Sequence, residues 1–585
     1  MKAHEGSISA AQAVRKILSA YGVKSVFSLA GASQSTLLNE LDHAGIKVIS
    51  TRHETAAVGA ADGYARIRRQ IGVAFINADQ GMANAVTGIQ SAFESCSPVV
   101  ILVGLESRTW VEPEDMIDHD WLAYVRHITK WARTCQSGSR LAEYVEAACR
   151  KALSGRPGPC VVAYPKDILR DDVGYNARPG AGPSPTTGGS SSAHHSLIQQ
   201  AAQAIASSQK PIVIAGSGCW YSDASKPLRE LKERYNIPVI TNALGRGIVP
   251  EDEESGFPWA VAQTAVKDAD LVIWAGARLK RRLGYGLAPR FDAKAKMIQI
   301  DSSPEEMGRN RPMDVCLEGD VSLNLQALVA ALGSNKQAAF DSSWLPQALA
   351  QRNGYIRERS SLNTNGVNPY LLGTQVQPHI DSGKVIYVSD GALILVRMFG
   401  VVRAKYPGSY IDTYPLGSMG MGTPMALGAA IAERELAEQQ GREPRRVVLV
   451  TGDGSLGFYI SELASAAKEQ VPLTVLVANN GGWGNEIVNQ PLRIGRTVNA
   501  YFGDIDYAAV ARGFGVGAER VVNSADLAGH VEWAMAQDGP NLLDVVVDAM
   551  ELTAEELTIF YSDVETTREN HYLELTNSQN CGESN

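Results

Sequence analysis

"RRVVLVTGDGSLGFYISELASAAKEQVPLTVLVANN" runs from Arg445 to Asn480, and its reading decides the fold. The first apolar run reads as a buried strand, "SELASAAKEQ" as a helix and "PLTVLVANN" as a second strand. A strand, a crossover helix and a strand make a parallel βαβ unit. In such sheets, ligands sit beyond the carboxyl ends of the strands. Asp453 lies in the loop after the first strand, and Asn479 and Asn480 close the second. Neighbouring parallel strands bring these ends together. Asp453 offers a carboxylate and Asn480 an amide oxygen, hard ligands suited to Mg2+ or Ca2+. Gly452 and Gly454 let the backbone approach a ligand closely. The helix after Ser455 presents free N–H groups to an anion. A metal and an anion at one helix start point to a diphosphate. Taken singly, Asp-Gly and Asn-Asn are turn signals. Their pairing at the ends of two successive strands makes them informative.

The same alternation fills the chain. "IGVAFINA", "PVVILVG" and "CVVAYP" read as strands in the first segment, and "PIVIAGSG", "PVITNA", "LVIWAGA" and "MIQID" in the middle. "VIYVSDG" and "NLLDVVVDA" join the two strands above in the last. Strands alternating with helices imply three doubly wound α/β domains, each a parallel sheet covered on both faces. "GYNARPGAGPSPTTGGSSSAHH", dense in Gly, Pro and Ser, reads as a linker. A second boundary lies between "GSNKQAAFDSSW" and "NTNGVNP". The expected domains are 1–173, 196–335 and 369–550, with linkers 174–195 and 336–368 and a tail at 551–585.

The 585 residues carry a net charge of −9 with no basic tract, which argues against a nucleic-acid partner. "ARIRRQ" and "RLKRRLG" are short and are expected on solvated faces. Seven scattered cysteines form no C-x-x-C pair and fit a reducing compartment. The N-terminus has no apolar core of signal-peptide length, and no run is long enough to span a membrane. The expected location is cytoplasmic.

Twenty-four residues lie between Gly454 and Asn479. This G-D-G…N-N spacing resembles the signature of the thiamine diphosphate (ThDP) enzymes. The resemblance implies Mg2+ held by Asp453, Asn480 and the Gly482 carbonyl. "RHETAAVGAADGYAR" resembles the family segment that carries the catalytic glutamate, here Glu54. That carboxylate would hydrogen-bond the cofactor's pyrimidine ring and promote the imino form that activates thiazolium C2. In "YPLGSMGMGTPMALGAA", Gly417 and Ser418 precede Met419, which would wedge between the two cofactor rings. Gly391 and Ala392, with Gly452, Gly454, Ser455 and Trp483, complete the expected cofactor set. The family builds its site between the first domain of one subunit and the third of another, so a homodimer is the minimum unit and a homotetramer is expected. FAD or ADP in the middle domain stays open.

Most of the chain is similar to the benzaldehyde lyase branch, on "DGAL", "LGSMG", "LVTGDGS", "TRHE" and "ITKWA". That branch's polar pocket residues are replaced here by Ser33, Met116, Leu395 and Thr413, with Gln34 and His119 nearby in sequence. Met116, Leu395 and Trp483 would form an apolar pocket. The resemblance implies a small carbonyl substrate, a 2-hydroxy ketone of acyloin or benzoin type, cleaved or joined through an enamine, with 2-oxo acid decarboxylation as a further entry. Two other branches are carried as alternatives. Acetolactate synthases usually have Gly-Gly where "GAS" stands. The 2-hydroxyacyl-CoA lyases and oxalyl-CoA decarboxylases share "NNGG" and a run like "IDSSPEEMGRNRP". A non-catalytic ThDP-fold subunit is opposed by the intact Glu54, Asp453 and Asn480.

Overall fold

The computed structural model describes residues 7–78, 80–111, 120–174, 191–252, 256–263, 265–333, 340 and 343–550. They form three six-stranded sheets, each entirely parallel. The first runs Lys47–Ser50, Ser25–Ser28, Gly72–Asn77, Val99–Leu105, Cys160–Pro165 and Trp131–Thr134 across the sheet. The second runs Gly256–Pro258, Val239–Thr241, Pro211–Ala215, Leu271–Ala275, Lys296–Asp301 and Val315–Glu318. The third runs Tyr410–Asp412, Val385–Ser389, Arg446–Gly452, Leu473–Asn479, Asn541–Val546 and Gly517–Val521. Central strands are buried and mostly apolar because helices cover both faces. Ser7–Ser9 pairs antiparallel with Asp172–Gly174 and ties the two ends of the first domain together.

The second expected linker needs correction. Trp344–Ser360 is a helix. Leu345 and Leu349 are buried with Trp274 and Phe291 of the middle domain, and Trp344 and Ile356 pack beside them. Apolar residues at helical spacing, not linker composition, set this segment's structure.

The first and third domains meet through two helices, Glu54–Arg68 and Gly422–Gln440. The contact is backbone to backbone. A Cβ on Gly428 would lie 1.8 Å from the Ala60 carbonyl oxygen, and one on Gly63 would lie 2.1 Å from that of Met425. The small residues of both segments exist for this approach. Glu435 closes one end, accepting from Ser25 Oγ and Tyr64 OH at 2.6 Å and pairing with Arg68 at 2.8 Å.

The two arginine runs are solvated only in part: Arg69 and Arg281 are exposed, while Arg66 and Arg282 turn inward. Arg66 is buried against Asp62 at 2.7 Å and donates to the Asp412 carbonyl at 2.8 Å. Arg282 of the middle domain pairs with the Asp412 carboxylate at 3.2 Å and lies over the Phe399 and Tyr414 rings. A guanidinium desolvates at less cost than an ammonium and stacks on rings, so arginine suits a junction of three domains. Among the described residues, no helix is long and apolar enough to cross a membrane.

Candidate active site

Strands Arg446–Gly452 and Leu473–Asn479 are adjacent, with Gly452 opposite Ala478. Asp453 and Asn480 therefore leave the sheet side by side. Asp453 does not sit in a loop; it opens a seven-residue helix, Asp453–Tyr459, ahead of the helix read on "SELASAAKEQ", which is Glu462–Glu469. The Gly482 amide donates to Asp453 Oδ2 at 3.0 Å and to Asn480 Oδ1 at 3.2 Å. Two oxygens within reach of one nitrogen share one locus. Burial pushes the Asp453 carboxyl up to about 6, although the Gly454, Gly482 and Gly481 amides favour its charged form. Asn479 has a separate task. Its Nδ2 donates to Ile505 O and Asp544 Oδ1, both at 2.9 Å, fixing the strand end.

A pocket of about 190 Å3 opens over this pair. Gly391, Ala392, Met419, Gly452, Gly454, Ser455, Gly482 and Trp483 line it with Asp453 and Asn480. A Cβ on Gly454 would lie 2.7 Å from Trp483 Cζ3, so the indole rests directly on the glycine. Phe502 meets Trp483 edge-on at 4.7 Å and backs the ring. A hard-oxygen pair beside a glycine-lined hollow fits a cation-bound diphosphate.

Asp390 organises the other wall, a role the sequence reading missed. Its carboxylate accepts the amides of Gly391 at 2.6 Å and of Gly420 and Gly422 at 3.0 Å. It thereby fixes the turn carrying Ser418 and Met419. Burial pushes Asp390 up to about 6, against the pull of those amides. Gly417 stands at φ +71°, and its amide donates to Thr413 O at 3.0 Å. Thr413 itself is buried below this turn. Leu395 packs in the third-domain core with Ile394, Met398 and Val376, while Leu393 and Ile394 also line the pocket.

Glu54 is 8% exposed and opens its helix. Asn84 Nδ2 donates to Glu54 Oε2 at 3.0 Å, and Gly81 leaves room for the other oxygen. Two residues before it, Arg52 donates its amide to Glu462 of the third domain at 2.8 Å. Burial pushes Glu462 up to about 7. Asn84 and Glu462 carried no motif that sequence reasoning could use. Ser33 Oγ donates to Asn77 Oδ1 at 2.9 Å. Gln34 is fully buried, with Ser28 Oγ donating to its Oε1 at 2.9 Å. Met116 and His119 lie outside the described residues. Among the described residues, none from the first domain lines the pocket.

Three family models match in the order of the three sheets. They are the thiamine pyrophosphate enzyme N-terminal TPP binding domain over residues 8–124, the central domain over 198–328 and the C-terminal TPP binding domain over 395–545. A "Probable acetolactate synthase large subunit" of Methanocaldococcus jannaschii is 30% identical over 92% of both chains. The chain belongs to the thiamine diphosphate-dependent enzymes. The "Acetolactate synthase large subunit IlvG" of Mycobacterium tuberculosis is 28% identical over 93% of this chain and 96% of its own. The mouse "2-hydroxyacyl-CoA lyase 1" is 27% identical over 82% of each. In this ThDP enzyme, Asp453 and Asn480 lie within the span of the C-terminal TPP binding domain and Glu54 within that of the N-terminal one.

Proposed function

We propose that this ThDP enzyme makes or breaks a carbon–carbon bond beside a carbonyl, with a 2-hydroxy ketone as its favoured substrate and decarboxylation of a 2-oxo acid as a further entry. The observation that carries this is the convergence of Asp453 and Asn480 oxygens on the Gly482 amide, within a hollow lined by Gly454 and Met419. Asp453, Asn480 and the Gly482 carbonyl would hold Mg2+, and Ser455 with the backbone at Gly391 and Gly454 would receive the diphosphate. Bound there, ThDP supplies an electron sink for the carbanion left when the bond breaks. Asp390 keeps the Met419 turn in place. Glu54 would hold and release a proton at the pyrimidine ring. Because the pocket carries no described first-domain residue, a second copy of the chain is the proposed source of that glutamate, which makes a dimer the smallest active unit. Leu393, Ile394, Pro369 and Val547 supply an apolar wall for a substituent beside the reacting carbonyl.

A second reading is favoured by the relatives: carboligation of 2-oxo acids, or cleavage of a 2-hydroxyacyl thioester. A cleft of about 390 Å3 in the middle domain, between the loops after Pro211–Ala215 and Leu271–Ala275, supports an adenine nucleotide there, FAD or ADP. The test is turnover of acyloins, benzoins, 2-oxo acids and 2-hydroxyacyl-CoAs by wild type and Glu54→Gln. Cleavage of acyloins or benzoins, lost in the variant, is expected. Turnover of the CoA esters alone would overturn the substrate and leave the cofactor standing.

A further inference from the structure

The middle-domain cleft has a wall contributed by the first domain, and that wall contains a cysteine in an unusual place. Helix Gln80–Glu94 ends in a tight reversal. The Cys96 amide donates to Phe93 O at 3.2 Å and the Ser97 amide to Ala92 O at 2.9 Å. This pattern requires a left-handed residue in the middle, where glycine is the usual choice. Cys96 occupies it at φ +58°. The backbone alone gives no reason for a thiol there.

The side chain's surroundings give one. Arg156 Nε donates to Cys96 Sγ at 3.1 Å. The guanidinium N–H thus places a cationic donor directly on the sulfur. Burial would lower the Arg156 pKa, but the Cys96 sulfur, Glu306 and Glu94 outweigh it and hold the group above its ordinary value. Arg278 and Lys280 bind the Glu94 carbonyl and carboxylate and carry further positive charge to the same turn. Cys96, Arg156, Arg278 and Lys280 all line the cleft. Beside them is Ser95, 6% exposed and also lining the cleft, whose hydroxyl has no hydrogen-bond partner among the described residues. An unpartnered hydroxyl next to a cation-bound sulfur leaves a polar position for a ligand to fill.

Other described cysteines differ. Cys219 Sγ donates to Ala275 O at 3.1 Å, and Cys135 Sγ donates to Ser137 O at 3.3 Å. Burial pushes the thiols of Cys135, Cys149, Cys219 and Cys316 up, and that of Cys160 up to about 12.

We propose that Cys96 is a modification site: a sulfur that accepts from Arg156 at the wall of the middle-domain cleft, reactive toward hydroperoxides and soft electrophiles. With a hydroperoxide, the sulfur attacks the peroxide oxygen, an S–O bond forms as the O–O bond breaks, and hydroxide or alkoxide leaves. Sulfur gives up the electron pair that the peroxide gains, and the product is the sulfenic acid. With N-ethylmaleimide, sulfur adds to the alkene carbon and the neighbouring carbon takes a proton from water.

The full-length protein is treated with limiting N-ethylmaleimide, or with hydrogen peroxide followed by dimedone, and mapped by peptide mass spectrometry. Cys96 is expected to react at least about tenfold faster than Cys316. Cys96→Gly suits the left-handed conformation, so it should keep the fold and lose this adduct. Arg156→Met uncovers the sulfur while removing its cation, so the adduct should form about tenfold more slowly despite greater access. A Cys316 that reacts as fast as Cys96, or an Arg156→Met protein labelled at Cys96 as fast as wild type, would overturn the proposal.

Discussion

Gly454→Ala tests whether the cofactor hollow is shaped by the contact between Gly454 and Trp483. The added Cβ would stand 2.7 Å from Cζ3 and 2.8 Å from Cε3 of the indole. Ordinary contact begins at 3.4 Å, so ring or helix must retreat by about 0.7 Å. The ring has little room to do so, since Phe502 meets it at 4.7 Å and Phe458 at 6.2 Å. Overpacking of this kind costs about 1–3 kcal/mol, which corresponds to roughly 5- to 140-fold weaker ThDP binding if the strain falls on the bound form. Gly457 is the internal control. It lies on the same short helix with nothing within 4 Å of its added Cβ. Gly457→Ala should leave affinity unchanged and gain up to about 1 kcal/mol from helix propensity. Calorimetric titration of ThDP at saturating Mg2+, with both variants and wild type, reads the difference. Equal affinity of Gly454→Ala and wild type would refute the claim that this contact shapes the hollow.

Three further outcomes follow from the same geometry. Glu54→Gln should lower kcat by about 10²- to 10⁴-fold, the usual range for losing an acid–base group, while ThDP affinity by calorimetry stays near wild type; unchanged turnover would remove Glu54 from the chemistry. Asp390→Ala leaves the amides of Gly391, Gly420 and Gly422 without their acceptor, and at about 1–3 kcal/mol for each buried unsatisfied group it should lose at least about 3 kcal/mol in urea denaturation; a loss below about 1 kcal/mol would show that the turn does not depend on it. Asp453 sits at about 6 against an ordinary 3.8, so its folded form prefers the proton. Without metal, its contribution to stability is full below pH 3.8 and is lost as pH rises through about 6. Mg2+ needs the carboxylate, so Mg2+ affinity should fall about tenfold per pH unit below about 6, and a flat profile from pH 7 to 5 would contradict the assignment.

Central strands were legible because burial on both faces makes them predominantly apolar: "CVVAYP" is the strand Cys160–Pro165, and "LVIWAGA" contains Leu271–Ala275. Edge strands such as Trp131–Thr134 and Gly517–Val521 were not, since one side meets solvent and their residues are mixed. Asp453 and Asn480 were legible from their position at two strand ends. The surroundings of Leu395 were not legible by alignment, because a helix turns about 100° per residue and it is Leu393 and Ile394 that line the cofactor hollow. Asp390 was hidden in "SDGAL", where an aspartate before glycine looks like a turn; its partners, Gly420 and Gly422, lie thirty or more residues away. Gln34, singled out only for its place beside Ser33, is fully buried with Ser28 donating to it. Burial of a polar side chain depends on partners that local sequence does not reveal.

The central claim is that Asp453 and Asn480 form one cation site that holds ThDP. Calorimetric titration of ThDP into the protein, with Mg2+ and then with excess EDTA, for wild type and Asp453→Ala, tests it most directly. Saturable binding to wild type that requires Mg2+ and disappears in Asp453→Ala is the predicted result. ThDP binding that survives the chelator, or an Asp453→Ala protein that binds as wild type does, would contradict it.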